Sequence, residues 1–105
     1  MIVEMRTYKI KRGMRAKFIE LMRAKLIPEH KKIGMKVAGP FVSVDNQDVL
    51  FWMRGSTDAA SLKSMTGKFY GGDAWQNELS DAIMPILEKY DVVTVEIPEG
   101  AVQWQ

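Results

Sequence analysis

Glu4, Arg6 and Tyr8 stand at every second position of the segment Ile2-Val3-Glu4-Met5-Arg6-Thr7-Tyr8-Lys9-Ile10. Alternate residues of a strand share a face, so this spacing sets a carboxylate, a guanidinium and a phenol in one row. A second segment, Leu50-Phe51-Trp52-Met53-Arg54, sets Trp52 and Arg54 in a row of their own. Two arginines can hold an anionic group through forked hydrogen bonds. A tyrosine can add a neutral donor or act as a general acid, and a glutamate can orient an arginine or take a proton if burial raises its pKa. Glu4, Arg6, Tyr8, Trp52 and Arg54 are therefore the candidate ligand-binding residues. Tyr70, beside the glycine-rich break Gly71-Gly72, joins them as an aromatic whose hydroxyl needs water or a partner. Two readings fit the set: a pocket for a small anionic or aromatic molecule, or a charge-paired dimer interior with no ligand.

Other chemistry finds little support. His30 is the single histidine. It follows Pro28 at a helix end, where an imidazole can meet the negative end of the helix dipole, and it is read as structural. Phe69 and Trp75 are read as helix packing. With one histidine and no cysteine, thiolate metal sites, disulfides and cysteine catalysis are excluded and no metal or cofactor is expected. Gly71-Gly72-Asp73 lacks the spaced glycines and lysine of a phosphate loop. The net charge of +2 gives no case for nucleic acid. No apolar run is long enough to cross a bilayer, the chain opens almost directly in a strand, and a cytoplasmic location is expected.

The elements that must position these residues follow from periodicity. The first strand stops at Lys11-Arg12-Gly13. Met14, Phe18, Leu21, Met22 and Leu26 mark one face of a helix that Pro28 should end or kink, and Gly34 is a helix stop. Met35 to Val44 and Val49 to Arg54 read as strands around an Asp45–Asp48 turn. Ser56 or Thr57 caps a short helix carrying Leu62 and Met65. A further helix carries Trp75, Leu79, Ile83 and Ile86, bent or ended by Pro85. Val92 to Ile97 is the last strand. The order strand, helix, strand, strand, broken helix, strand is that of an α+β, ferredoxin-like βαββαβ domain, an antiparallel sheet with helices on one face. Residues 1–98 form that domain and 99–105 a tail. In the usual strand order the first strand lies between the third and the fourth, which brings Glu4 and Arg6 beside Arg54 and Glu96. The apolar row (Val3, Met5, Val42, Val44, Phe51, Met53, Val93, Val95) is expected under the helices. The mixed row, with Phe41, Trp52 and Val92 among its charges, is expected to pack sheet to sheet against a second copy, leaving an enclosed space between the two sheets.

These residues also resemble a known family. The opening Met1-Ile2-Val3-Glu4-Met5-Arg6-Thr7-Tyr8-Lys9-Ile10-Lys11-Arg12-Gly13 is similar to the start of NIPSNAP domains. Phe18, Pro28, the stretch from Gly34 to Phe41, Trp52-Met53-Arg54, Asp58, Phe69-Tyr70 and Trp75 agree with it, so the likeness runs from Ile2 to about Pro98. It implies a homodimeric α/β barrel of ferredoxin-like protomers and no settled activity. The wider superfamily includes cofactor-free monooxygenases and haem-degrading enzymes, so an oxygenase in the same cavity and a ligand-free interaction module are the alternatives to a binding protein.

Overall fold

The computed structural model describes residues 1–105. Strand β1 (Ile2–Ile10) leads into α1 (Arg15–Leu21), a π-helical stretch (Met22–Leu26) and α2 (Ile27–Lys32), then β2 (Lys36–Val42) and β3 (Val49–Ser56). Helix α3 (Ala59–Tyr70), a second π-helical stretch (Trp75–Leu79) and α4 (Ser80–Ile83) precede β4 (Leu87–Glu96). All strand pairs are antiparallel, in the order β2-β3-β1-β4, so β1 lies between β3 and β4 as expected. The fold is ferredoxin-like.

Pro28 does not end the first helical run, which continues to Lys32. The backbone stays helical from Leu21 through Ile27, with Pro28 in the first turn of α2. The π-helical stretch just before it explains a feature of the sequence. Phe18, Met22, Leu26 and His30 recur every four residues, and each is buried. A step of four overshoots a 3.6-residue turn, so the row would drift off the core face; the wider π turn brings it back. Gly34 stops the helix with φ of 88°. Arg15 then ties the start of α1 to the β2–β3 hairpin, donating to the Ser43, Asn46 and Val49 carbonyls at 3.0 Å each.

Two boundaries differ from expectation. Asp58, not Ser56 or Thr57, caps α3 and accepts from the Ser61 N–H at 2.7 Å, because β3 continues to Ser56. Strand β4 begins at Leu87, five residues earlier than Val92, since β1 offers a partner along nearly its whole length.

The faces of the sheet are the reverse of those expected. Tyr8, Ile10, Val37, Leu50 and Trp52 pack with Phe18, Met22, Leu26, Phe69, Leu79 and Ile83, so the mixed row lies under the helices. Val3, Ala38 and Met53 form a smaller cluster on the opposite face, covered by Met1, Val102 and Trp104. The tail is thus folded back, with the Gln105 N–H donating to the Val37 carbonyl at 2.9 Å. The register shifts between Ala38 and Phe41, which moves Phe41 from the mixed row to the opposite face, where it stacks on Phe51. The same shift carries Val42 the other way, opposite Leu50.

Candidate functional site

β1 and β3 pair so that Glu4 faces Arg54, Arg6 faces Trp52 and Tyr8 faces Leu50. Directly opposed residues of an antiparallel pair share a face, and this register brings the charged groups of both strands together under the helices. One carboxylate oxygen, Glu4 Oε1, accepts from Arg6 Nη1 and from Arg54 Nε, the latter at 2.8 Å. Arg6 Nε donates to the Tyr8 hydroxyl oxygen at 3.0 Å, which leaves the phenolic proton free for another acceptor. Both arginines are buried, Arg6 at 7% exposure and Arg54 at 2%.

Here His30 enters: it lies in the last turn of α2, the helix end expected of it, but faces inward. α2 turns it inward, because it continues the buried four-residue row. Arg54 Nη1 lies 2.9 Å from His30 Nε2, and His30 Nδ1 lies 2.7 Å from the Leu26 carbonyl. A guanidinium can only donate, so Nε2 accepts and Nδ1–H donates to Leu26. Both ring nitrogens are thereby committed, and the imidazole is neutral. Its ring stacks on Phe69, with centroids 3.9 Å apart. Burial, helped by the positive charges of Arg54 and Arg6, lowers its pKa to about 4.

The same environment fixes the other protonation states. Burial pushes Glu4 up, but Arg54 and Arg6 together outweigh it and hold the carboxyl below its ordinary value. Burial raises Tyr8, against the opposing pull of Arg6, so the phenol stays protonated. Two guanidinium groups therefore share a single carboxylate beside a neutral imidazole and a neutral phenol. The cluster carries one positive charge with no counter-charge in contact.

These groups border a partly open cavity of roughly 160 Å³ between the sheet and the helices of one chain. Arg6, Arg54, Tyr8, His30 and Trp52 make its polar side; Phe18, Leu26, Ile83, Met84 and Leu87 make its apolar side. Tyr70, Trp75 and Tyr90 complete the wall. The arginines are boxed by rings: the Arg6 guanidinium carbon lies 5.7 Å from the Trp52 and Tyr90 centroids, and that of Arg54 lies 5.2 Å from Tyr70. All six candidate residues meet here, Glu4 from behind the arginines and the other five in the wall. The expected space between two sheets is not where they lie, because the helices of the same chain cover this face of the sheet. Glu96 is exposed, opposite Ile2, and takes no part. His30 and Tyr90 were missed. The four-residue row ending at position 30 was the available signal for the first; a strand begun five residues too late hid the second. No cluster of histidine, cysteine or acidic residues could hold a metal ion.

Neither a known family profile nor any curated protein sequence matches this chain. Solved structures do. A NIPSNAP domain protein from Burkholderia xenovorans superposes with a TM-score of 0.84 at 18% identity, covering 98% of this chain and 100% of its own. A NIPSNAP family protein from Agrobacterium tumefaciens gives 0.82 at 20% identity, over 95% of this chain and 88% of its own. The fold is NIPSNAP-like. An antibiotic biosynthesis monooxygenase shares it more loosely, with a TM-score of 0.70 at 16% identity over 93% of this chain and 99% of its own. Within the NIPSNAP-like frame the buried cluster rests on this chain's own residues: β1 and β3 carry the charges, and the four-residue row of the first helical run supplies His30.

Proposed function

We propose that the protein binds a small anionic molecule in the cavity between its sheet and its helices. The observation that carries this reading is the uncompensated positive charge of the Glu4, Arg6 and Arg54 cluster. An unpaired buried charge is costly, and a bound anion removes the cost. Arg6 and Arg54 receive the anionic group, Tyr8 adds a neutral donor, and the apolar side holds the rest of the molecule. The size of the cavity limits that molecule. Drug-sized ligands occupy about 300–1,000 Å³, whereas an apolar cavity of about 150 Å³ holds a benzene.

Replacing Arg54 by methionine removes the surplus charge while Glu4 keeps Arg6. Isothermal titration with 4-methylpentanoate is expected to show an affinity loss of about 100-fold, with the fold retained. Unchanged affinity in this variant removes the proposal.

The likeness to a monooxygenase raises the question of catalysis. A general base needs a free lone pair and a pKa near the working pH. Both nitrogens of His30 are committed, Glu4 is held ionised by two arginines, and Tyr8 is held protonated. No group of the cluster is poised to take a proton, which favours binding over oxygenation.

We also infer a homodimer, formed through the sheet face that the helices leave open. Its support is the exposure of Phe41 (49%) and Val93 (58%) around Met5 and Phe51 on that face. Native mass spectrometry is expected to give a dimer, and Val93→Arg a monomer. A monomeric parent protein ends this idea.

A further inference from the structure

The exposure of the cavity wall locates its entrance. Of the 13 residues that border the cavity, only Met84 and Tyr90 are exposed, at 48% and 54%. Met84 follows directly on α4, and Tyr90 lies on β4, the edge strand that pairs with β1 alone. The opening therefore runs between the end of the helical layer and the edge of the sheet. Val92, which shares the face of Tyr90, is exposed as well, so the helices do not reach over this edge. Inside the opening, three rings surround the Arg6 guanidinium carbon, Tyr8 at 5.6 Å and Trp52 and Tyr90 at 5.7 Å. Tyr8 and Trp52 are buried, so Tyr90 is the ring with water on its outer side. Glu4 takes Nη1 of this arginine and the Tyr8 hydroxyl takes Nε, which closes two more directions. The way from solvent to the Arg6 charge passes Tyr90.

We infer that Tyr90 is the gate of the anion site: its ring covers Arg6 at rest and swings outward to let the occupant in and out. This rests on the anion-binding reading and adds how the site exchanges its ligand. The position suits the task. An edge strand leaves the ring free on its outer side, and exposed side chains change rotamer in picoseconds to nanoseconds. That is far faster than ligand exchange, so the rate depends on the fraction of time the ring stands aside. Its inner side is held by the guanidinium, a cation–π contact strong enough to keep that fraction at about one tenth. The contact forms whether or not an anion is bound, because Arg6 stays charged in both states. A ring of this kind slows entry and exit alike and hardly changes affinity, which distinguishes a gate from a binding contact.

The exchange rates of 4-methylpentanoate, read from NMR line shapes and relaxation dispersion across a titration, test the assignment. In Tyr90→Ala the association and dissociation rates should both rise about tenfold, with Kd within about threefold of that of the parent protein. Tyr90→Phe keeps the ring and should keep the parent rates, which separates the ring from its hydroxyl. Both variants change a half-exposed residue at a sheet edge and should fold as the parent does. Unchanged rates in Tyr90→Ala overturn the inference, since the ligand would then enter by another route. So does faster dissociation alone, with affinity lost in proportion, which would make Tyr90 a wall contact. Either result leaves the anion site standing. No binding of 4-methylpentanoate to the parent protein overturns both.

Discussion

Glu4→Gln destabilises the protein by about 3–5 kcal/mol, the usual cost of leaving buried charge without its partner. Glutamine keeps the volume and one accepting oxygen and loses only the charge. Arg6 and Arg54 then stand in contact with no counter-charge, in a site 7% and 2% exposed. Chemical denaturation at neutral pH measures the loss. The same variant should recover more stability than the parent protein when 4-methylpentanoate is added, because an anion now relieves two surplus charges instead of one. A loss below about 1 kcal/mol would mean that water reaches the guanidinium groups freely, and the argument from surplus charge would fail.

The second large effect is a dependence of stability on pH set by His30. In the folded chain His30 gains its proton only at about 4, against an ordinary 6.5. An unfolded chain takes up that proton as the pH drops through 6.5, whereas the folded chain does not. The stability due to a neutral His30 is therefore complete above pH 6.5 and is lost as the pH falls toward 4. At ~1.4 kcal/mol per pH unit this amounts to about 3 kcal/mol. Glu4, also held below its ordinary 4.5, acts in the same direction but only below that pH. The interval from 6.5 to 4.5 therefore isolates the histidine. His30→Gln can still accept from Arg54 and does not titrate, so its unfolding free energy should stay flat across this interval while that of the parent protein falls. Parallel curves would show that the imidazole is already charged in the fold, and that Arg54 is not donating to it.

How much of this was legible in the chain depends on the kind of signal. Element order, strand order and the nearness of Glu4 and Arg6 to Arg54, though not to Glu96, followed from alternation and connection rules, which act locally. The choice of face did not. A strand pattern separates two rows and says nothing about which row the helices take. The apolar row of Val3, Met5, Phe51 and Met53 looked like the better core, yet the helices cover the row with two arginines and a glutamate. What decides it is satisfaction: Glu4, His30 and Tyr8 pair the arginines within one chain, and the tail, through Val102 and Trp104, shields part of the other face. That is a tertiary fact, invisible to a single strand. Phe41 went astray for a local reason, one extra residue in β2 before it, which reverses every later side chain. His30 was placed at the helix end where it lies, but its inward face was not read. The π-helical turn that carries the chain through the proline leaves only the four-residue recurrence of Phe18, Met22, Leu26 and His30 as its trace.

The central claim is that the buried cluster holds an anion, and one comparison tests it most directly. The intact protein is titrated calorimetrically with 4-methylpentanoate and with its uncharged amide, 4-methylpentanamide. The two match in shape and differ in charge. Saturable binding of the carboxylate with no measurable heat from the amide is the predicted result. Equal binding of the two, or binding of the amide alone, would show an apolar hollow in which Arg6 and Arg54 take no part.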